Sequence, residues 1–176
     1  MADLTFNTTA EQTIAREMLL MCLNTGTSSS PTWSPLGKRT TDSSMELDWS
    51  EETTTDVLGK TRTTARKPIK KQDFDPLPLD SADAAAVSVW NKAIHDNDPQ
   101  ALCNMDILIV HLYAGTVSTP FAERYTSSSV LPTNLGGEGG GDIGMPMTVT
   151  PGGARVTGTA SKNATTGVIT FTPDSE

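Results

Sequence analysis

The chain has 176 residues, a formal net charge of −8 and a pI near 4.7, a length that suits one domain, or one domain with a long arm, and can bury a real core. The acidic balance argues against a protein that grips nucleic acid, because phosphate contacts need clustered Lys and Arg. Aromatic residues are only 5% of a chain rich in Thr, Ser, Gly and Pro, which favours short strands and many turns over a helical bundle, while apolar runs along the whole length argue against disorder.

Residues 1–12 read as a polar lead-in, flexible or paired only in an assembly. Met1–Ala10 lacks a basic start followed by an apolar core, so no signal peptide is expected. No apolar run approaches the length of a membrane span. The expectation is a soluble protein made in a cytoplasm. Glu17–Leu23 is apolar and bounded by Asn24-Thr25-Gly26. A buried strand fits its length, and a short helix from Glu11 fits its Glu, Met and Leu content. Thr27–Pro35 is a Ser/Pro loop with Trp33 as an anchor.

Met45, Leu47 and Trp49 alternate with Glu46, Asp48 and Ser50, which predicts a strand with one apolar and one acidic face. Residues 51–66 form a polar arm with a turn signal at Leu58-Gly59-Lys60, and Thr61–Lys71 is Thr-rich and basic. Together these segments predict a long hairpin whose acidic and basic limbs pair across the strands, each exposed pair contributing roughly 0.2–1 kcal/mol. After a Pro-spaced connector, Asp80 is the expected N-cap of a helix running to about His95, with Ala82, Ala85, Ala86, Val89, Trp90 and Ala93 on one face and Trp90 as its core anchor. Asp96-Asn97-Asp98-Pro99 ends it. The remaining elements read as strands: Asp106–Tyr113, buried on both faces, then Phe121–Leu131, Met145–Thr150, Ala154–Ala160 and Val168–Thr172. A glycine-rich loop, residues 134–144, lies among them.

No motif carries bond chemistry. Gly139–Gly144 formally matches G-x-G-x-x-G, but Pro146 and a β-like run follow where a phosphate-binding loop needs a helix. His95 closes the helix and His111 sits in an apolar strand. No Cys, His or carboxylate spacing completes a metal site, and no cofactor is expected. Cys22 and Cys103 each lie in or beside an apolar run and read as buried free thiols. The acidic strand face fits an ordinary solvated surface or a carboxylate lining that keeps a polyanion from sticking. The basic limb lacks the interleaved aromatics of a nucleic-acid patch.

The order of parts resembles the major tail tube proteins of long-tailed phages over about residues 16–161. The resemblance rests on Leu19–Thr27, Trp33–Gly37, Ser43–Asp48, an arm centred on Asp56-Val57-Leu58-Gly59-Lys60, the single helix, Ile107–Leu112, Phe121-Ala122-Glu123-Arg124-Tyr125, and the closing glycine-rich loop before Met147-Thr148-Val149 and Gly153–Thr159. The glycine content of 134–144 and the C-terminal extension, 161–176, depart from that pattern. The end, Gly158–Asp174, also resembles small bacterial Ig-like repeats.

The resemblance implies a mainly β chain: a β-sandwich or partial β-barrel with one flanking helix and a long inter-strand arm. It implies six-membered rings that stack into a tube conducting DNA without binding it specifically. The partners would be other copies of the chain, the tape measure protein, the tail terminator and the tail-tip proteins, in a virion assembled in the host cytoplasm with no membrane. By the same analogy Glu46, Asp48 and Glu52 would line the lumen, and Asp56, Val57, Leu58, Gly59 and Lys60 would contact the next ring. A bacterial surface or adhesion β-sandwich and the tube protein of a secretion system are the rival readings.

Overall fold

The computed structural model describes residues 4–175. Eleven strands dominate it. They are β1 (Leu19–Asn24), β2 (Trp33–Pro35), β3 (Met45–Asp48), β4 (Glu52–Thr55), β5 (Thr61–Thr64), β6 (Ile69–Phe74), β7 (Met105–Gly115), β8 (Pro120–Pro132), β9 (Met147–Thr150), β10 (Arg155–Lys162) and β11 (Ile169–Pro173). The helical pieces are α1 (Ala84–Trp90), continued by a π-helical turn Asn91–His95, and α2 (Pro99–Cys103). Among the described residues no helix is long and apolar enough to cross a membrane.

Strands β10-β11-β2-β1-β7-β8 follow one another, and β8 pairs back onto β10, so six strands close into a barrel. Closure is possible because β8 is long enough to serve two sheets. Its first half, through Tyr125, pairs with β7 and β10. After a register shift opposite Met105 and Ile107, its second half pairs with β9. A second sheet, β8-β9-β6-β3, then runs off the barrel and ends on β3. Gly152 is needed at the bend: a Cβ there would lie 2.6 Å from the Ser127 carbonyl oxygen.

Two cores follow from strand alternation. Cys22, Leu108, Val110, Ala122, Ala160 and Ile169 point into the barrel. Ile107, Ile109, Met21 and Leu23, from the same strands, point outward and pack with Phe74 and Val149 of the second sheet and Val89 of α1. This is why β7 is apolar on both faces, as its sequence predicts. The barrel interior is narrow, since even eight strands leave only enough room for side chains, and the small residues Cys22, Ala122 and Ala160 share it with Leu108, Val110 and Ile169. A Cβ on Gly158 would meet the Thr172 carbonyl oxygen at 2.2 Å and the Phe171 ring at 2.8 Å. Gly158→Ala is therefore expected to lower the unfolding free energy by about 2 kcal/mol, the usual cost of overpacking, measured by urea denaturation; an unchanged midpoint would refute the tight closure.

Several expectations are corrected. Segment Arg16–Met18 is one 3-10 turn, and the strand then begins at Leu19. The lead-in is not loose over its described residues: Asn7 N–H donates to Tyr113 O and Gly115 N–H to Thr5 O, both at 2.9 Å, and the Phe6 ring stands edge-on to Tyr113 at 5.3 Å. Residues 1–3 of that segment lie outside the described residues. The cap of α1 is Asp83, whose Oδ1 accepts from Ala85 and Ala86 N–H at 3.1 Å, while Asp80 caps only the preceding turn through Ala82 N–H. Beyond the expected helix end, Asp98 and Pro99 start α2 instead of a plain loop, with Asp98 as its cap. Cys22 is buried, and desolvation pushes its thiol up to about 12; Cys103 is exposed at the end of α2, contrary to expectation, and no disulfide forms between them. The segment read as a C-terminal extension supplies the end of β10 and all of β11, two staves of the barrel.

Candidate assembly surface

The second sheet positions the candidate residues. Antiparallel partners share a face, so the register Met45↔Gln72↔Val149 and Phe74↔Met147 defines the side turned to the core. The opposite side carries Glu46 and Asp48 of β3, Lys71 and Asp73 of β6, and Thr148 and Thr150 of β9. Glu46 and Asp48 are exposed. The Thr148 hydroxyl donates to Asp73 Oδ1 and is the main influence holding that carboxyl below the usual carboxylate range. Glu52 lies farther along, on the arm, opposite Thr64. The structure thus brings Glu46 and Asp48 together on one sheet face and leaves Glu52 off it.

The expected long hairpin is present, in two ladders. β3 pairs with β6, Arg66 N–H reaches Trp49 O at 2.9 Å, and β4 pairs with β5 beyond. Every residue of β4 and β5 is exposed, so the arm stands clear of the body. Thr53–Thr63 and Thr55–Thr61 hydroxyl pairs, each at 3.2 Å, bridge it. At its tip Asp56 Oδ1 accepts from Leu58 N–H and Lys60 N–H, both at 2.9 Å, and Gly59 takes a φ of +79° that favours glycine. Val57 and Leu58 are held fully outward, 103% and 89% exposed.

The charge pairing departs from the expected acidic-to-basic ladder. Glu46 is directly opposite Lys71, but Lys71 pairs with Asp73 at 3.4 Å, and Lys70 crosses from the sheet to Glu123 of the barrel at 2.5 Å. Glu123 is only 4% exposed. It also receives Arg155 Nε at 3.2 Å and the Tyr125 hydroxyl at 2.6 Å, and His111 Nε2 lies 3.3 Å from its other oxygen. Burial alone would raise this carboxyl; the nearby His111 ring and the donors Arg155, Lys70 and Tyr125 together hold it well below the usual carboxylate range. Sequence reasoning missed Glu123 as a centre. Its one signal was a charged residue between Ala122 and Tyr125 in a strand otherwise fit for burial.

Trp90 is half-buried at the margin of the outer core, whereas Ala85, Ala86 and Val89 of the same helix are fully buried. Met45 alone of the apolar β3 face is partly covered; Leu47 and Trp49 remain 48% and 50% exposed. The free edge of β3, with these two side chains, is the open end of the large sheet, and Ile69, 56% exposed, lies on β6 opposite Asp48, on the acidic face. Unpaired edges of this kind template pairing with another chain. Among the described residues no group of His, Cys, Asp and Glu is arranged to hold a metal ion.

No protein-family model matches the chain, and no curated protein matches it. Among solved structures it is similar to a chain of the sheath/tube terminator of an extracellular contractile injection system, PVC, in the extended state. The identity is 9%, the likeness covers 85% of this chain and 99% of that one, and the TM-score is 0.51. The PVC sheath–tube complex (9% identity, 85% and 94% covered, TM-score 0.44) and the tube-terminating cap of the anti-feeding prophage (13%, 88% and 96%, 0.43) overlap less well. What this chain shares with that PVC chain, over 85% of its own length and at 9% identity, is the fold.

Proposed function

We infer that the chain is a structural subunit of a phage-type tail tube, six copies joining edge to edge into a ring and rings stacking into a conduit for DNA. The observation that supports this best is the four-stranded sheet that leaves the barrel and ends on an open β3 edge. In a ring, that sheet would continue into the next copy's sheet and its edges would disappear. The face turned from the core, with Glu46, Asp48 and Asp73 against a single Lys71, would then line the channel. A net negative wall repels the DNA backbone and keeps it from adhering. The arm tip with Val57 and Leu58 would reach the adjacent ring. The tape measure, terminator and tail-tip proteins are the further partners of this reading, and the virion tail its location.

Negative-stain microscopy over a protein concentration series tests it: hollow tubes or six-fold rings are expected, and a monomer at every concentration would refute self-assembly. The shared fold with a sheath/tube terminator favours a second reading, a ring that ends a tube. Single rings that never stack would decide for it. For the lining, Glu46→Lys with Asp48→Lys is expected to leave tubes intact and slow DNA ejection several-fold; normal ejection from such tubes would refute the acidic-lumen assignment.

A further inference from the structure

The hairpin arm and the glycine-rich loop stand at opposite ends of the second sheet. β3 ends and β6 begins at the arm, where Asp48 lies opposite Ile69. At the other end β6 finishes, β9 begins and β8 finishes, with Phe74, Met147 and Pro132 side by side. The chain leaves β6 there as Asp75-Pro76-Leu77-Pro78. Met145 N–H to Leu77 O at 2.9 Å and a Pro78–Gly144 bridge tie this connector to the base of the glycine-rich loop.

Between connector and loop lies an open trough of about 750 Å³. Pro76, Pro78 and Leu135 give it apolar walls, and Asp75, Glu138 and Asp142 add three carboxylates. Leu135 is 46% exposed and the three carboxylates are exposed, so all four are open to a partner. Among the described residues no Lys or Arg lines the trough, and none of its carboxylates is in an ion pair.

The arm tip carries the complement. Val57 and Leu58 are the most exposed large apolar side chains among the described residues. Asp56 is turned inward to the N–H groups of Leu58 and Lys60, so the far part of the arm presents the cations Lys60 and Arg62. Neither has an ion-pair partner among the described residues. At ~3.3 Å per residue the tip stands up to about 20 Å from Ser50.

Strands of a closed barrel tilt against its axis, so the two ends of each strand lie at different heights. In a head-to-tail stack of like rings, a surface at one end of a copy meets the opposite end of the next. We propose that the arm tip of a copy in one ring seats in the trough of a copy in the adjacent ring, an inference that rests on the ring-forming reading above. Val57 and Leu58 cover Pro76, Pro78 and Leu135, and Lys60 settles among Asp75, Glu138 and Asp142. The same carboxylates repel a polyanion, which reserves the trough for a cationic segment of protein.

Two measurements test the docking. By negative-stain microscopy Lys60→Glu is expected to give single rings without tubes, and adding Glu138→Lys with Asp142→Lys to the same chain should restore the tubes. For the second, two singly tagged proteins are mixed, Leu58→Cys and Leu135→Cys, each with Cys103→Ser so that only buried Cys22 remains besides the tag. Both tagged positions are exposed. After assembly into tubes and treatment with a short bismaleimide, a cross-linked dimer is expected from the mixture and not from either protein alone. Single rings of the mixture, separated by sedimentation, should give at least ten-fold less. Tubes from the Lys60→Glu protein, no restoration by the charge swap, tubes of the mixture without the dimer, or unaltered protein whose rings never stack would each overturn the docking and leave the ring reading standing. Absence of rings from the unaltered protein would overturn both.

Discussion

Replacing Glu123 by Gln is expected to lower the unfolding free energy at pH 7 by about 3 kcal/mol, the scale of breaking a buried ion pair from one side. The carboxylate is 4% exposed and faces Lys70 from the second sheet and Arg155 from β10. Removing its charge leaves both cations, the mostly buried Lys70 and the half-exposed Arg155, without a counter-charge. The substitution also loosens the tie between barrel and sheet, since Lys70 is on β6 and Glu123 on β8. The pH dependence gives a second readout. The carboxyl is depressed in the folded state, so its contribution is complete above the ordinary value near 4.5 and is lost as the pH falls below it. The unaltered protein should therefore lose stability steeply below that pH, and Glu123→Gln should show a lower plateau with a flatter acid limb. Urea unfolding followed by circular dichroism between neutral and acid pH measures both. Equal plateaus, or parallel acid limbs, would show that Glu123 does not organise this junction.

The second large effect concerns assembly. Leu47→Lys with Trp49→Lys should leave the fold of the single chain within about 0.5 kcal/mol of its original stability, because both side chains are already half-exposed. Between copies the two changes forgo about 2 kcal/mol of apolar burial per contact, which raises the concentration needed for rings about 30-fold. Lysines on a free edge also oppose strand pairing directly. Sedimentation velocity across a concentration series reads the shift. Unchanged assembly with an intact fold would place the subunit contact elsewhere than the β3 edge.

Much of the architecture was legible in the amino-acid order. The two-faced apolar run of β7, the alternation in β3, the glycine turns and the Thr-rich hairpin limbs each carry a local periodicity or a turn requirement, and such signals survive without knowledge of neighbours. The mainly β class, the flanking helix and the protruding arm followed from them. The helix cap was misplaced by one turn because Asp80 and Asp83 are both competent caps, and only the packing of Ala85, Ala86 and Val89 against the barrel selects Asp83. Closure of the barrel by residues 161–173 was not legible, since β11 pairs with β2 through Ile169 and Trp33, from opposite ends of the sequence, and leaves no local mark. The Glu123 junction was hidden for the same reason: Lys70, His111, Arg155 and Tyr125 come from four strands. The apolar alternation of β3 specified a strand and a face, but tertiary structure decided that most of that face stays uncovered in one chain, because β3 is the last strand of its sheet and no further element follows to bury Leu47 and Trp49.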